Sequence, residues 1–311
     1  MPPATIARRL VASALLAALG LAVPWATPAS ADTPWTVRTA ANDFGSDRPN
    51  YRYTLDPGGR LTDGLVITNP GTAPLHLSVY AADAFTAQDG RLDLRAQNSR
   101  PTAVGAWVHL ATADVTVPPG ETTEVPFTLT LPQDAAPGEY LGGIVTSPPG
   151  GAERLGIRIR LRVGGALEPG LSVRDPQVTY AGGGDATVTY TIHNTGNTAL
   201  TARQTVTVSG VRADPIGDSP QLLPGDTWKV SVPVHGVHPM LRLTGTIELV
   251  PLLTDAANSV APLTAVKATA AAWAVPWWPV LPLVAVIGVA VWTWGNKKRQ
   301  AERTPLATLN V

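Results

Sequence analysis

Alternating apolar and polar positions are the main signal along this chain. Within residues 117–145, VPPGETTEVPFTLTLPQDAAPGEYLGGIV, the apolar residues Val125, Phe127, Leu129 and Leu131 alternate with polar neighbours. A period of two is that of a strand with one buried face. A Pro-Gly pair precedes this strand and another follows it, and both residue types favour tight turns. The pattern predicts a turn, a strand, a second turn and a second strand.

The same kind of unit occurs twice in the chain. VITNPGTAPL at residues 66–75 is matched by TIHNTGNTAL at residues 191–200, and each predicts a strand, an Asn-Gly turn and a new strand. VPPGE at residues 117–121 is likewise matched by LLPGD at residues 222–226. The repeat predicts that two domains of common ancestry follow one another.

We therefore expect an all-β fold with two tandem immunoglobulin-like β-sandwich domains, residues 32–165 and residues 171–252. Glycine and proline interrupt the strand pattern between them. The first copy is longer than the second, and the addition lies within residues 82–107. Because insertions at one end of a sandwich often carry binding sites, the first domain is the better candidate for a specific ligand.

The two ends of the chain predict a surface location. Basic, apolar and small residues follow one another in residues 1–31, which is the order of a removed signal peptide. Residues 275–295 are apolar with tryptophans at both edges, which predicts one C-terminal transmembrane helix, and the basic run after it predicts a short cytoplasmic tail, residues 296–311. Alanine-rich residues 253–274 are predicted to be a spacer. The expectation is a single-pass type I protein of the cell membrane with an extracellular ectodomain that faces the cell wall.

Composition excludes several classes of function. The chain has no cysteine, so neither a disulfide framework nor thiol catalysis is expected. Its formal net charge is +0, which gives no global field for recruiting nucleic acid. Known nucleophile, metal and nucleotide motifs are missing. Glu121, Glu124 and Glu139 lie on predicted turns or strand faces, where a carboxylate is ordinarily solvated, so no enzyme activity and no cofactor are predicted.

An exposed arginine face is predicted in RLGIRIRLRV, residues 154–163. Arg154, Arg158, Arg160 and Arg162 share one face of this strand, with about 7 Å between successive residues on that face. One interpretation is that the row binds an anionic wall polymer or the carboxylates of peptidoglycan, since guanidinium pairs bidentately with such groups. The other is a charged strand that discourages edge-to-edge aggregation or pairs with carboxylates across the sheet, which we favour because outward charge is ordinary on an exposed strand.

The insertion also carries candidate aromatic residues. Tyr80 and Phe85 flank its start and Trp107 closes it. One interpretation is a platform on which sugar rings stack. The other is core packing, which we favour for Trp107 because tryptophan is highly buried on average. Phe85 is predicted to be displayed.

Three aspartates lie in and beside the Asp-Gly turn of the insertion. Asp83, Asp89 and Asp93 offer oxygen ligands at a spacing that would suit calcium. The segment lacks the full ligand pattern of a calcium loop and its terminal glutamate. A solvated turn is the preferred interpretation, and no metal is predicted.

The first domain resembles the peptidoglycan-binding domain of the WxL-interacting protein family of Gram-positive surface proteins, in an actinobacterial type with a C-terminal anchor. The blocks that carry the resemblance are Tyr53–Gly58, Asn69, Asp89-Gly90, Trp107 and Pro119–Ile144, within residues 35–163. The resemblance implies a non-catalytic scaffold that contacts peptidoglycan and a partner surface protein. The binding residues assigned from the resemblance and the patterns together are Arg154, Arg158, Arg160, Arg162, Tyr80, Phe85, Asp89, Trp107 and Tyr140.

Three functions remain open at this point. The first is a membrane-anchored cell-surface scaffold that binds peptidoglycan or an anionic wall polymer together with another surface protein. The second is a purely structural stalk or adaptor of a surface complex that binds no glycan. The third is a hydrolase whose site the sequence does not reveal.

Overall fold

Strands dominate the structure. A computed structural model of the chain describes residues 35–150, 153–238, 241–254, 260–273 and 277–301. The prediction of a mostly β chain is confirmed for these residues. The predicted signal peptide, residues 1–31, lies outside the described residues, as does the end of the predicted tail from residue 302 onward.

The first sandwich has two sheets packed face to face. Its elements are β1 (Thr36–Thr39), β2 (Tyr51–Leu55), β3 (Arg60–Thr68), β4 (Leu75–Thr86), β5 (Leu92–Leu94), α1 (Val104–Trp107), β6 (Val108–Leu110), β7 (Asp114–Val117), β8 (Thr122–Thr130), β9 (Gly138–Ser147) and β10 (Leu155–Val163). One sheet has the order β1-β3-β8-β6. The other has the order β2-β10-β9-β4-β5, and β7 also pairs with β4. Apolar residues of both sheets, including Phe127, Ile144 and Ile159, form one core.

A second sandwich follows after a linker at residues 164–170. Its strands are β11 (Leu171–Gly182), β12 (Asp185–Asn194), β13 (Thr201–Val208), β14 (Val211–Arg212), β15 (Thr227–His235), β16 (Arg242–Thr254), β17 (Val260–Pro262) and β18 (Val266–Trp273). The sheet β11-β12-β15 faces the sheet β14-β13-β16-β17, where β18 also pairs with β16. Val188, Ile192 and Ile247 lie at the centre of its core.

The predicted strand faces are observed. Val125, Phe127 and Leu129 on β8 are buried, and more exposed neighbours alternate with them. On β10, Ile157 and Ile159 are buried in the core. The arginines of β10 consequently lie on the outer face of its sheet, because successive residues of a strand point to opposite faces.

The predicted spacer is wrong for most of its length. Within residues 253–274, strands β17 and β18 form, and β18 pairs with β16 from Val266 to Trp273. Its residues alternate between half-buried and exposed, and the half-buried Ala270 and Ala272 pack against the second core. Small alanines therefore serve here as the inward face of a sheet strand.

The predicted transmembrane helix is not supported. The helix α2 (Trp277–Ala301) forms in this region. Among the described residues, no helix is both long and apolar enough to cross a membrane.

The internal repeat has a shared structural cause, which is one buried asparagine in each sandwich. The Asn69 Nδ2 group donates to the carbonyls of Ala73 and Val117, at 2.8 and 3.0 Å. In the second sandwich, the Asn194 Nδ2 group donates to the carbonyls of Thr198 and Leu222, at 2.8 and 2.9 Å. Each asparagine therefore joins its own turn to the strand end that leads into the Pro-Gly turn.

Candidate functional site: a groove under the insertion

The candidate site lies on the outer face of the sheet that contains β10, β9 and β4. Two glycines leave room on this face. A Cβ atom on Gly143 would lie 2.6 Å from Leu94 Cδ1, and one on Gly156 would lie 3.1 Å from the same atom. The Leu94 side chain, which comes from the insertion, therefore sits directly over these glycines. At Leu94 the insertion therefore lies against the outer face of the sheet.

Polar contacts hold the insertion in this position. The buried Asp83 carboxylate accepts hydrogen bonds from the backbone N–H groups of Thr102 and Gly105, at 2.7 and 2.8 Å, which fixes the far end of the insertion. In its middle, Arg154 Nη1 donates to the Leu94 carbonyl at 3.1 Å. Arg154 Nη2 also lies 3.6 Å from Asp93 Oδ2. The chain from Asp93 to Leu94 therefore forms a strap across the sheet.

On one side of the strap is a cavity of about 570 Å³. Tyr80 and Phe85 line it, and both side chains are half-buried. The Arg95 guanidinium lies 5.1 Å from the centre of the Phe85 ring. The remaining lining combines polar and proline side chains with backbone: Ser78, Asp93, Leu94, Ala96, Gln97, Asn98, Ser147, Pro148, Pro149, Gly150 and Arg154. Aromatic and amide groups thus face one concave surface.

On the other side of the strap is a cavity of about 360 Å³ with a more basic lining. Arg154 and Arg158 line it together with Asn50, and Asp93 is its one carboxylate among the described lining residues. The two cavities share Asp93, Leu94 and Arg154. They form one groove, which we call the strap groove.

Beyond the strap groove the arginine face continues along β10. Arg160 lies directly across from Arg52 of β2, because these two strands pair in parallel. Burial lowers the pKa of Arg160, and the positive charges of Arg158 and Arg52 lower it further, while Glu139 opposes them. Arg162 is the next residue on this face and is exposed. No local sequence pattern points to Arg52, because it lies about one hundred residues before β10.

Three predicted site residues lie elsewhere. Tyr140 is in register with Leu161 on the core side of the sheet, and its hydroxyl donates to the Ala136 carbonyl. Trp107 packs against the first core with its ring centre 4.9 Å from that of Tyr140. Asp89 forms an exposed ion pair with Arg91 at the tip of the β4–β5 hairpin. These residues do not line the strap groove.

The three aspartates considered for calcium do not converge. Asp83 binds backbone N–H groups, Asp89 pairs with Arg91, and Asp93 faces Arg154. In the part of the chain that the structure describes, no cluster of three metal-binding side chains occurs.

The second sandwich contacts the base of the insertion. The Thr86 N–H donates to Asp226 Oδ2 at 2.7 Å, and the Thr86 hydroxyl donates to the Gln221 carbonyl at 2.9 Å. Nearby, the Ala199 N–H donates to the Glu139 carboxylate at 3.0 Å. Both contacts use turns of the internal repeat, so the second sandwich supports the strand that carries the strap groove.

Replacing Gly143 by alanine is expected to loosen the strap. The new methyl group would meet both Leu94 Cδ1 and the Ile157 carbonyl oxygen, the latter at 2.7 Å. Overpacking of this kind costs about 1–3 kcal/mol. Trypsin cleavage after Arg95 should accelerate, whereas the control Gly217→Ala, which has no atom within 4 Å, should leave the rate unchanged. An unchanged rate in Gly143→Ala would show that Leu94 does not hold the strap down.

The sequence of the first sandwich matches a known family. Residues 42–147 match the family model described as WxL Interacting Protein, peptidoglycan binding domain. This match confirms the resemblance for that part of the chain, and it includes the whole insertion. It ends before β10, so the arginine face lies just beyond it. No curated protein sequence matches the chain.

Several solved structures share a general likeness in fold. A family 123 glycoside hydrolase from Clostridium perfringens has 10% identity and a TM-score of 0.33, over 43% of this chain and 28% of that one. A chaperone–tip adhesin complex of CFA/I fimbriae has 9% identity and a TM-score of 0.39, over 76% and 99%. The CupB2 chaperone of Pseudomonas aeruginosa has 11% identity and a TM-score of 0.31, over 73% and 98%. This chain thus spans under a third of the hydrolase's length.

Proposed function

We propose that this chain, whose residues 42–147 match a peptidoglycan binding domain, is a non-catalytic protein of the cell surface that binds the cell wall. The strap groove is the proposed binding site. The observation that carries the proposal is that the matched residues build a concave surface on which Tyr80 and Phe85 meet amide side chains.

The chemistry of the larger cavity fits a glycan chain. A ligand site is typically a concavity with apolar and aromatic walls and a few polar groups that set orientation. Tyr80 and Phe85 supply the aromatic surface, and Gln97 and Asn98 supply groups that both donate and accept hydrogen bonds. Sugar rings have apolar faces and hydroxyl edges, so they can use both kinds of group.

The carboxylates near the groove support a binding role without catalysis. Glycoside hydrolysis generally uses two carboxyl groups on either side of the scissile bond. Within the described lining of the strap groove, Asp93 is the one carboxylate, and it faces Arg154. Glu139 contacts the second sandwich through Thr198 and Ala199.

Wall binding is tested by sedimentation of the purified chain with purified sacculi. We expect the wild-type chain to sediment, and we expect Tyr80→Ala combined with Phe85→Ala to weaken binding by about tenfold or more, or about 1.4 kcal/mol. Phe44→Ala is the matched control, because Phe44 is a 48% exposed aromatic residue of the same sandwich that does not line the groove. Thermal unfolding of each variant establishes that it is folded.

Three outcomes contradict the proposal. Failure of the wild-type chain to sediment would favour the structural stalk. Equal binding by the groove variant and the Phe44 control would place the wall-binding surface elsewhere. Release of soluble sugar fragments during the incubation would instead favour the hydrolase.

The proposal also includes a location and a partner. We place the chain on the outer surface of the cell, facing the wall, with another surface protein bound to it, as the resemblance implies. Protease treatment of intact protoplasts should remove the sandwiches, and cross-linking on intact cells should join the chain to a second surface protein. Protection from the protease would contradict the location.

A further inference from the structure

We propose that Arg52, Arg158 and Arg160 form a cationic track that binds the phosphodiester groups of an anionic wall polymer, beside the glycan site. The inference rests on the proposed function in that both concern the cell wall. It adds a second class of ligand, a phosphodiester polymer. Two of its three arginines, Arg158 and Arg160, lie outside the part of the chain that matches the peptidoglycan binding domain.

The three arginines are neighbours on one face. Arg158 and Arg160 are successive outward residues of β10, which places them about 7 Å apart along the strand. Arg160 and Arg52 are Cα partners in the parallel pair of β10 with β2, at an interstrand spacing of about 4.8 Å. Three guanidinium groups on long side chains can therefore reach a common ligand, and Arg162 extends the row.

The arginines of this row have no close carboxylate partner in the described part of the chain. Arg48, Arg91, Arg154 and Arg203 each lie within 4.0 Å of an aspartate oxygen. Among the residues that the structure describes, Arg52, Arg158, Arg160 and Arg162 have no carboxylate within that distance. Glu139 of β9 lies across from Arg162, and its charge raises the pKa of Arg160, but its carboxylate accepts hydrogen bonds from Thr198 and Ala199 of the second sandwich. The row therefore faces a carboxylate across the sheet without forming a close ion pair with it.

The electrostatics of the track favour an external anion. Arg160 is half-buried, and its pKa is lowered first by burial and then by the charges of Arg158 and Arg52. A half-buried cation beside two like charges is stabilised by any oxyanion that comes between them, and less water screens the interaction than at an exposed site. Binding should accordingly weaken as salt increases, mainly through the exposed members of the row.

A phosphodiester polymer suits the track better than an isolated carboxylate. Guanidinium groups bind phosphate oxygens bidentately, and each phosphodiester offers two such oxygens. A row of cations spaced about 7 Å apart along a strand fits a chain that carries one charge in every repeat. The track also continues directly from the basic cavity through Arg158, so a wall polymer and a glycan chain can occupy adjoining parts of one face.

The test compares two preparations of sacculi, one untreated and one stripped of phosphodiester polymers by hydrofluoric acid. The wild-type chain should bind untreated sacculi about tenfold or more tightly than stripped sacculi at low salt. Arg158→Glu combined with Arg160→Glu should bind both preparations at the stripped level. The matched control is Arg38→Glu with Arg60→Glu, two exposed arginines of the opposite sheet, and it should behave as wild type.

The outcomes separate this inference from the proposed function. Equal binding of the wild-type chain to both preparations would overturn the track. Weaker binding of the charge-reversed variant to stripped sacculi would identify peptidoglycan carboxylates as the ligand and overturn the phosphodiester assignment. A titration of the purified chain with soluble polyphosphate tests the track without any wall material. Poly-glutamate, which carries carboxylates and no phosphate, is the control polymer. If the chain binds polyphosphate through these arginines but does not bind stripped sacculi, the track stands and the proposed glycan site fails.

Charge reversal within a sheet can also disturb folding. Arg158→Gln with Arg160→Gln removes both charges without adding repulsion, and it should lose polyphosphate binding with an unchanged thermal unfolding transition. Retained binding of polyphosphate by this folded variant would overturn the proposal.

Discussion

Replacing Asp63 by alanine is expected to destabilise the first sandwich by about 3–5 kcal/mol, the usual cost of removing one partner of a buried ion pair. The Asp63 side chain is 0% exposed, and its Oδ2 atom lies 2.8 Å from Arg48 Nη1. The carboxylate also accepts hydrogen bonds from the Tyr53 hydroxyl and from the Asn42 side chain. Alanine would leave the Arg48 charge, whose side chain is 14% exposed, without its counterion.

Urea denaturation measures the effect, and Asp89→Ala supplies the matched control. Asp89 also pairs with an arginine at 2.8 Å, but its side chain is 50% exposed. Exposed pairs contribute little because water screens them. We expect no measurable change for Asp89→Ala. An equally small change for Asp63→Ala would mean that the segment from Asn42 to Arg48 does not depend on this ion pair.

The ion pair also predicts a pH dependence. Burial by itself raises the pKa of Asp63, but hydrogen bonds from Arg48, Tyr53, Gly64 and Asn42 together lower it below its usual value. A lowered pKa in the folded state means that the stabilisation is complete above the unfolded pKa of about 3.9 and is lost as the pH falls through the folded value. Asp63→Asn should remove this contribution to the pH dependence of the free energy of unfolding. If the variant kept the full pH dependence of the wild-type chain, the prediction would be contradicted.

Local periodicity explains which parts of the fold were predictable. The alternation in β8 and β10 depends on neighbours two residues apart, and both strands have the predicted buried faces. The prediction of a spacer at the alanine-rich residues 253–274 is wrong because small residues are common both in spacers and in tightly packed strands. Only the pairing of β18 with β16 distinguishes the two.

The candidate site was predictable in part for a similar reason. Tyr80, Phe85, Arg154 and Arg158 were found from the insertion and from one strand, and they meet in the strap groove. Arg52 was missed because parallel pairing joins it to a strand about one hundred residues later, which no local pattern encodes. Tyr140 lies on the core side of its strand and does not line the strap groove, and a sequence block alone does not reveal which face of a strand packs inward.

Replacing Asn69 by alanine is expected to destabilise the first sandwich by about 2–4 kcal/mol, because more than one buried backbone group would lose its partner. The Asn69 Nδ2 group donates to the carbonyls of Ala73 and Val117, and the Asn69 Oδ1 atom accepts from the Gly71 N–H. Asn69 itself is 2% exposed, so water cannot easily replace these bonds.

Asn69→Asp distinguishes this bonding role from simple packing. Aspartate has nearly the same shape, but its carboxylate accepts hydrogen bonds and cannot donate to the two carbonyls. Asn69→Asp should therefore destabilise the first sandwich at least as much as Asn69→Ala. Asn194→Asp should have the same effect on the second sandwich, because Asn194 is 0% exposed and donates the corresponding bonds. Asn98→Ala, an exposed asparagine of the groove, should leave unfolding unchanged. If Asn69→Asp kept wild-type stability, the repeated asparagine would act through its shape and not through the bonds it donates.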